Sequence, residues 1–222
     1  MGHTASNRKA FAVGKIASWY RITTPATPLL PYFTCICMTS LNSNVYLIGP
    51  MGSGKTTIGN RVARLLGMAF IDCDAELESR TGASVNLIFD VEGEEGFRKR
   101  ETDLLEELST KQSMLIATGG GAVLRQRNRE LMSASGAVVY LRTSVAQQLS
   151  RLRQDKKRPL LQAPDREERL TKMAKIRNPI YEELADIVFP SQNQNVSRVA
   201  KRLSGIILSY LNDAEQAPRH HR

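Results

Sequence analysis

Side chains that many enzymes and metal sites rely on are scarce in this chain of 222 residues. Its three histidines lie in the terminal segments, away from the body of the chain, which argues against histidine acid–base chemistry. Its three cysteines, Cys35, Cys37 and Cys73, form neither a disulfide framework nor a zinc-binding pattern. Such cysteine usage is typical of a reducing compartment, so we expect a cytoplasmic protein.

Long apolar runs are also absent. No stretch approaches the roughly 18 apolar residues of a membrane-spanning helix, so we expect no membrane partner. Acidic residues are missing from residues 1–43, which hold four basic side chains and therefore +4 of the formal net charge of +9. Because so much of the positive charge is concentrated there, we do not interpret it as a nucleic-acid surface.

Residues 1–40 differ in composition from the rest of the chain. Pro25, Pro28 and Pro31 interrupt any helix there, and the segment has no periodic apolar face. We expect residues 1–40 to be a disordered extension, with Met38 as the functional start; an organellar transit peptide is the alternative. Residues 41–213 are then the folded domain and residues 214–222 a disordered tail.

A phosphate-binding motif begins directly after the apolar run 45–48. Residues 49–56 read Gly-Pro-Met-Gly-Ser-Gly-Lys-Thr, which matches G-x-x-x-x-G-K-[ST] between a predicted strand and a predicted helix. In such a loop the backbone N–H groups surround the phosphates of ATP, Lys55 reaches the β- and γ-phosphates, and the Thr56 hydroxyl ligates Mg²⁺. We therefore predict ATP and Mg²⁺ as cofactors, bound by Gly52, Ser53, Gly54, Lys55, Thr56 and Thr57.

Strands and helices alternate from residue 44 onward. We predict strands at 44–48, 68–71, 114–117, 137–141 and 187–189, and helices at 55–66, 94–108, 124–134, 144–153, 166–177 and 196–211, with a short helix started by Ser84. Pro179 is expected to break the chain of helical residues before a further turn at 181–184. The alternation predicts an α/β fold, a five-stranded parallel sheet with helices on both faces. Since ligands bind at the carboxyl ends of such strands, the features at those ends should meet in one cleft.

Two carboxylates follow the second predicted strand. Asp72 and Asp74 are one residue apart, and alternation along an extended chain would turn both side chains the same way. One carboxylate could then organise Mg²⁺ while the other hydrogen-bonds or deprotonates an acceptor hydroxyl. A helix N-cap would explain Asp74 alone.

Three further segments have ordinary structural explanations when each is considered alone, and they indicate a function only in combination. Arg98 and Glu101 are three residues apart on a predicted helix, which by itself fits a charged solvent-exposed face. The triple glycine Gly119–Gly121 would allow a ligand to approach the backbone closely, although a flexible turn has the same composition. The run Lys-Lys-Arg-Pro at 156–159 is, on its own, an ordinary basic surface loop.

In this order, the motifs resemble those of the shikimate kinase family across residues 44–211. They are the phosphate loop, Phe70-x-Asp72-x-Asp74, Gly93-Glu94-x-x-Phe97-Arg98-x-x-Glu101, Gly119–Gly121, Arg158-Pro159-Leu160-Leu161 and Arg177-Asn178-Pro179-x-Tyr181. The resemblance implies a three-layer, nucleoside-monophosphate-kinase-like fold with a mobile lid, and a monomer. It also implies transfer of the γ-phosphoryl group of ATP to the 3-hydroxyl of shikimate, on the pathway to chorismate and the aromatic amino acids.

The same resemblance assigns roles to individual residues. Arg98 and Arg177 would clamp the shikimate carboxylate, Asp74 would bind ring hydroxyls, and the Gly119–Gly121 turn would offer the backbone N–H of Gly120. Beside them, Asp72 would support Mg²⁺, Arg158 would close over the γ-phosphate as a lid residue, and Arg151 would pack on adenine. Lys55, Asp74 and Arg158 are thereby the expected catalytic residues.

Two alternatives remain at this point. One is another small-molecule kinase of the same fold, such as a gluconate kinase, because paired arginines favour a carboxylate-bearing acceptor and gluconate is one. The context of Asp72-x-Asp74 and Phe97-Arg98 favours shikimate. A basic, nucleic-acid-binding phosphate-loop ATPase would need an acidic residue after another apolar strand to activate water. The third and fourth predicted strands end in Thr118-Gly119 and Leu141-Arg142, with no acid, which disfavours the ATPase.

Overall fold

The computed structural model describes residues 43–153, 165–191 and 195–216. Their strands are β1 (Asn44–Ile48), β2 (Ala69–Asp72), β3 (Met114–Ala117), β4 (Gly136–Arg142) and β5 (Ile187–Pro190). Their helices are α1 (Lys55–Leu66), α2 (Cys73–Thr81), α3 (Val85–Ser109), α4 (Gln126–Ser135), α5 (Val145–Arg151), α6 (Arg166–Leu184) and α7 (Val196–Gln216), with a 3₁₀ turn at Ala122–Leu124.

The five strands form one parallel sheet, as the sequence predicted, and their order in it is β2-β3-β1-β4-β5. Strand β1 lies at the centre, and all five of its residues are buried. Alternate β1 side chains enter two cores: Val45 and Leu47 pack with residues of α1 and α7, whereas Tyr46 and Ile48 pack with residues of α3, α4 and α6. The sheet is therefore the middle of three layers. Since β1 lies between β3 and β4, the loop that follows β1 starts at the centre of the sheet edge.

Helix α1 starts where the phosphate motif ends. Gly54 precedes it with φ 94°, a left-handed conformation that a residue with a side chain adopts only with strain. Gly59 lets the helix approach the sheet, because a β-carbon there would lie 2.7 Å from the Phe70 ring and 2.8 Å from the Leu47 side chain. The axis of α1, and with it the N-terminal end that faces the loop, is thereby fixed on the sheet.

The prediction that Pro179 breaks the helix is wrong. Helix α6 runs without interruption from Arg166 to Leu184, with Pro179 inside it. A proline removes one backbone hydrogen bond and costs about 3 kcal/mol in a helix interior. The cost is offset by packing just beyond it, where the completely buried Tyr181 stacks on Tyr140 with ring centroids 5.0 Å apart.

Two other helices differ from the sequence-based bounds. Ser84 does start a helix, its hydroxyl accepting a hydrogen bond from the N–H of Leu87, but that helix continues through a kink at Gly93 as α3. Helix α7 continues beyond Leu211 to Gln216, so residues 214–216 are helical rather than part of a tail. No glycine or proline stands between Gly205 and Pro218 to stop it.

Several sequence-based expectations fall on other parts of the chain. The expected extension 1–40, the segment 154–164 with the lid residue Arg158, and residues 217–222 lie outside the described residues. Among the helices that are described, none combines the length and the apolar character needed to cross a membrane.

Candidate active site

The phosphate loop joins the carboxyl end of β1 to the first turn of α1. Gly49 has φ 139°, and a β-carbon on it would lie 2.9 Å from the carbonyl oxygen of Leu141, so the loop has no room for a side chain there. Lys55 Nζ donates hydrogen bonds to the carbonyl oxygens of Gly49 (2.8 Å) and Pro50 (3.0 Å). The ammonium group therefore lies across the loop, at the position where a phosphate chain would be bound.

Asp72, at the end of β2, forms hydrogen bonds with residues of both α1 and α2. Its Oδ2 accepts a 2.6 Å hydrogen bond from the Thr56 hydroxyl, and its Oδ1 accepts bonds from the N–H groups of Asp74 (3.1 Å) and Ala75 (3.2 Å). Asp72 is thus the N-cap of α2. A carboxylate and a hydroxyl, both hard oxygen ligands, lie side by side at the mouth of the phosphate loop.

The expectation that Asp72 and Asp74 lie on one extended chain is wrong. Helix α2 begins at Cys73, so Asp74 belongs to its first turn, because Asp72 satisfies the N–H groups that a helix leaves unpaired at its start. The carboxylate of Asp74 nevertheless faces the turn after β3: a β-carbon on Gly119 would lie 3.0 Å from Asp74 Oδ1 and would overlap Glu101 Oε1. Both predicted carboxylates therefore reach the same cleft, by different routes.

Arg98 lies in the second half of α3 and is almost completely buried. Its Nη1 donates a 2.8 Å hydrogen bond to Glu101 Oε2, and its guanidinium carbon lies 5.8 Å and 5.4 Å from the ring centroids of Phe89 and Phe97. The structure leaves no space between this guanidinium and the glycine turn, since a β-carbon on Gly121 would overlap it. Arg98 is fixed in orientation before any ligand binds.

Glu101 is a buried carboxyl group on the acceptor side whose pKa is shifted by its surroundings. Its side chain is 1 % exposed, and burial raises its pKa, while the neighbouring charge of Arg98 acts in the opposite direction. Its Oε1 has no hydrogen-bond partner among the described residues. The sequence placed Glu101 beside Arg98 on a helix face; it did not indicate that the pair is buried under the glycine turn.

The triple glycine lies between the phosphate loop and a second arginine. A β-carbon on Gly120 would lie 3.6 Å from both the carbonyl oxygen of Gly49 and the N–H nitrogen of Met51, and 3.9 Å from Arg177 Nη1. The hydroxyl of Tyr181, one turn beyond Arg177 in α6, donates to the carbonyl oxygen of Gly120. The structure therefore brings together the loop and the turn, as expected from their places at strand ends, and it places beside them both arginines that the family resemblance indicated.

Arg151, expected against adenine, makes several hydrogen bonds within the protein. Its Nη1 donates to the carbonyl oxygen of Gly52 (3.0 Å) and to Ser191 Oγ (3.0 Å), and its Nη2 donates to the carbonyl oxygen of Ser191 (2.9 Å). Ser191 Oγ in turn donates to the carbonyl oxygen of Ser53 at 2.7 Å. Arg151 and Ser191 thus tie the phosphate loop to the end of β5, and Ser191 had no signal in the sequence beyond its position after a strand.

Comparisons with known proteins agree on one family. The model of the family "Shikimate kinase" matches residues 51–207. The shikimate kinases of Histophilus somni (strain 2336) and Pasteurella multocida (strain Pm70) are each 52% identical over 165 residues, which cover 74% of this chain and 94% of each relative.

Solved structures give the same picture. The shikimate kinase from Acinetobacter baumannii in complex with shikimate matches with 45% identity and a TM-score of 0.74, over 77% of this chain and 96% of that one. A gluconokinase from Sinorhizobium meliloti 1021 matches over 81% of this chain with a TM-score of 0.55 but only 15% identity, which is a likeness of fold alone.

Proposed function

Because the chain belongs to the shikimate kinase family, we propose that it transfers the γ-phosphoryl group of ATP to the 3-hydroxyl of shikimate, giving shikimate 3-phosphate and ADP. This reaction belongs to chorismate and aromatic amino acid biosynthesis. One observation carries the proposal: the Gly119–Gly121 turn lies between the phosphate loop and the two arginines Arg98 and Arg177. A small carboxylate-bearing alcohol bound on this turn would place a hydroxyl beside the phosphates.

Arg98 and Arg177 would bind the shikimate carboxylate. A guanidinium offers parallel N–H donors that match the two oxygens of a planar carboxylate. Arg98 is already held by Glu101 at 2.8 Å and flanked by two phenylalanine rings, so little of its rotamer entropy is lost on binding. The backbone of Gly119, Gly120 and Gly121 would contact the ring from the other side.

Asp74 would bind the ring hydroxyls and act on the hydroxyl that attacks. Its Oδ1 faces the glycine turn, and no described histidine is available for this task. A carboxylate within hydrogen-bond reach of the attacking hydroxyl orients it and accepts its proton as the bond to phosphorus forms. The oxygen of the attacking hydroxyl becomes the phosphate ester oxygen, the bond from the γ-phosphorus to the β,γ-bridging oxygen breaks, and ADP leaves from the phosphate loop.

Lys55 and the loop N–H groups would hold the β- and γ-phosphates, with Gly52, Ser53, Gly54 and Thr57 completing the cradle. Lys55 already lies across the loop, so binding exchanges its bonds to two carbonyl oxygens for bonds to phosphate. Arg151 would fix the loop from outside through Gly52 and could present its flat face to adenine. Arg158, which lies outside the described residues, keeps its proposed role as the closing arginine.

The residues at the mouth of the loop fit Mg²⁺. Thr56 and Asp72 offer two hard oxygens 2.6 Å apart, and Mg²⁺ is usually held by one or two protein oxygens together with phosphates and waters. Within residues 43–153, 165–191 and 195–216 no cluster of three or more His, Cys, Asp or Glu side chains competes as a metal site. When bound there, the ion would neutralise charge on the phosphates.

The proposal includes a cytoplasmic monomer whose partners are small molecules, as the family resemblance implies.

The proposed reaction is tested by a coupled ADP-release assay with shikimate, quinate and gluconate as acceptors. Shikimate should support turnover, and gluconate should not. Gluconate-dependent ADP release without a response to shikimate would contradict the proposal, and shikimate-independent, DNA-stimulated ATP hydrolysis would favour the ATPase alternative.

A further inference from the structure

Tyr181 is completely buried in α6, and its hydroxyl reaches the acceptor side of the cleft. The ring stacks on Tyr140 at 5.0 Å with an interplanar angle of 25°, which fixes the ring plane. From this position the hydroxyl donates a short hydrogen bond to the carbonyl oxygen of Gly120. The ring and the hydroxyl therefore have separate partners: the ring packs in the core and the hydroxyl contacts the glycine turn.

The same hydroxyl is adjacent to Arg177. Burial raises the pKa of Tyr181 well above its ordinary value, and Arg177 acts against that rise through its charge and through side-chain hydrogen bonding. Arg177 and Tyr181 are four residues apart in α6, so their side chains project from one face of the helix. Gly120, which accepts the bond from Tyr181, is also close to Arg177: a β-carbon on Gly120 would lie 3.9 Å from Arg177 Nη1. The hydroxyl thus donates to the turn, and Arg177, one helical turn away, lies beside the same turn.

The glycine turn needs such an external contact. The carbonyl oxygens of Gly119 and Gly121 accept local backbone hydrogen bonds from the N–H groups of Ala122 (3.2 Å) and Leu124 (3.0 Å), whereas the carbonyl oxygen of Gly120 is held by Tyr181. A hydrogen bond to the carbonyl oxygen of Gly120 fixes the plane of the peptide between Gly120 and Gly121, because that peptide is planar. The N–H of Gly121 then points away from Tyr181.

We propose that the Tyr181 hydroxyl is a positioning group for the acceptor: by holding the Gly120 peptide it keeps the glycine turn in register with the Arg177 guanidinium, so that both face the same bound shikimate. The inference rests on the proposed function and names a residue that acts through others, since Tyr181 is buried and does not itself touch the ligand. It predicts that the hydroxyl contributes to acceptor binding and not to nucleotide binding.

The test is the Tyr181→Phe variant, which removes the hydroxyl and keeps the stacked ring. We expect KM for shikimate, and Kd for shikimate by calorimetry, to rise about tenfold, the scale of one lost buried hydrogen bond. KM for ATP should change less than about twofold. Replacing Tyr181 by 4-aminophenylalanine, which restores a donor at the same place, should recover most of the shikimate affinity.

Tyr140→Phe is the matched control. Tyr140 is the other ring of the stacked pair and is equally buried, but its hydroxyl donates only a long 3.4 Å bond to Asn178 Oδ1 and does not contact the turn. Its loss should leave KM for shikimate within about twofold of the wild type, since a weak bond contributes little.

Three results would overturn the inference: wild-type shikimate affinity in Tyr181→Phe, an equal rise in KM for both substrates, or the same shikimate defect in Tyr140→Phe. The last two would assign the effect to packing rather than to the hydroxyl. A wild type that neither binds nor phosphorylates shikimate would instead overturn the proposed function, and the inference with it, so the two failures are distinguishable.

Discussion

The Thr56 hydroxyl donates a 2.6 Å hydrogen bond to Oδ2 of Asp72. This bond connects the first turn of α1 to the end of β2, which is two strands away from β1 in the sheet. Asp72 uses its other carboxylate oxygen to cap α2. One carboxylate thus fixes both the hydroxyl that is proposed to ligate Mg²⁺ and the helix that carries Asp74. The two aspartates can therefore be separated by substitution.

Asp72→Asn should raise the Mg²⁺ concentration needed for half-maximal turnover, whereas Asp74→Asn should lower kcat at any Mg²⁺ concentration. Asparagine caps helices as well as aspartate does, so the first change removes the charge without removing the cap. In the second, an amide replaces the carboxylate nearest the acceptor, and proton transfer is typically worth a factor of about 10² to 10⁴. Mg²⁺ titrations at saturating shikimate and ATP separate the two effects.

Asp103→Asn is the control for this pair. Asp103 lies on the exposed side of α3, where it accepts a hydrogen bond from Lys99, and its loss should leave both profiles unchanged. Indistinguishable Mg²⁺ profiles for Asp72→Asn and Asp74→Asn would refute the division of roles.

Lys55→Ala should lower turnover by about 10²-fold or more, the scale of one lost preorganised charge contact. The lysine donates to two loop carbonyl oxygens, and both bonds are only partly buried, so the melting temperature should change little. Steady-state kinetics and thermal denaturation measure the two quantities. Lys99→Ala, at an exposed lysine of α3, should match the wild type in both.

Gly121→Ala should raise KM for shikimate about tenfold or more and leave KM for ATP nearly unchanged. Gly121 has φ −103°, which any residue adopts, so the expected effect comes from the overlap of the new β-carbon with the Arg98 guanidinium. A displacement of about 1 Å in a positioning group can cost a factor of about 10². The measurement is a KM for each substrate.

Gly205→Ala is the control for steric effects. A β-carbon at this position in α7 meets no atom within 4 Å, so we expect unchanged kinetics and a gain of up to about 1 kcal/mol in helix stability. Normal shikimate affinity in Gly121→Ala would show that Arg98 can move aside without loss, and its proposed role in the clamp would then fail.

The sequence predicted the sheet and the phosphate loop because both depend on local patterns. Apolar runs located the five strands, and helical periodicity located the helices between them. Lys55 and Thr56 follow from a contiguous motif in a strand–loop–helix context. The convergence of the phosphate loop, Asp74 and the Gly119–Gly121 turn also follows, once the strands are parallel, from the rule that strand ends share an edge. Arg98 and Arg177 lie within helices, and only the family resemblance indicated that they join this site.

Contacts between distant residues escaped this reasoning. The bond from Tyr181 to Gly120 spans 61 positions, and the bond from Arg151 to Gly52 spans 99, so no local pattern contains them. The same contacts explain the error at Pro179: propensity predicts a break, but the packing of Tyr181 stabilises the helix beyond it. At Asp72 two local rules competed, strand alternation and helix capping, and capping prevailed.

Compared with the wild type, the Glu101→Gln variant should gain more stability at neutral pH than at acidic pH. The same variant should bind shikimate more weakly. Burial raises the pKa of Glu101, so the ionised side chain is disfavoured in the folded state. Stability from this group is fully present below the ordinary glutamate pKa of about 4.3 and is lost as pH rises through the raised value. The variant cannot ionise and avoids that loss.

Melting temperatures of the wild type and of Glu101→Gln, measured from acidic to neutral pH, test the sign. The difference, variant minus wild type, should increase with pH across this interval. KM for shikimate should rise in the variant, because Arg98 loses the charge that orients it at 2.8 Å. A difference that decreases with pH would mean that the pairing with Arg98 outweighs burial.

Arg98→Lys and Arg177→Lys should each raise KM for shikimate far more than KM for ATP. Both changes keep the positive charge and remove the planar fork, so they distinguish geometry from Coulomb attraction. If the two arginines clamp one carboxylate, the double variant should cost less than the sum of the single variants, since the second loss acts on a carboxylate that is already misplaced. An analogue with an amide in place of the carboxylate should bind the wild type poorly and lose less affinity in the variants.

Arg100→Lys is the matched control, because Arg100 lies two residues beyond Arg98 on the exposed side of α3, paired with Glu92. Its kinetics should match the wild type for both substrates. The measurement is a matrix of KM values for ATP, shikimate and the amide analogue over these proteins. If the Arg98 and Arg177 variants weaken ATP rather than shikimate, the two arginines serve the nucleotide, and the glycine turn cannot be the acceptor site that the proposed reaction requires.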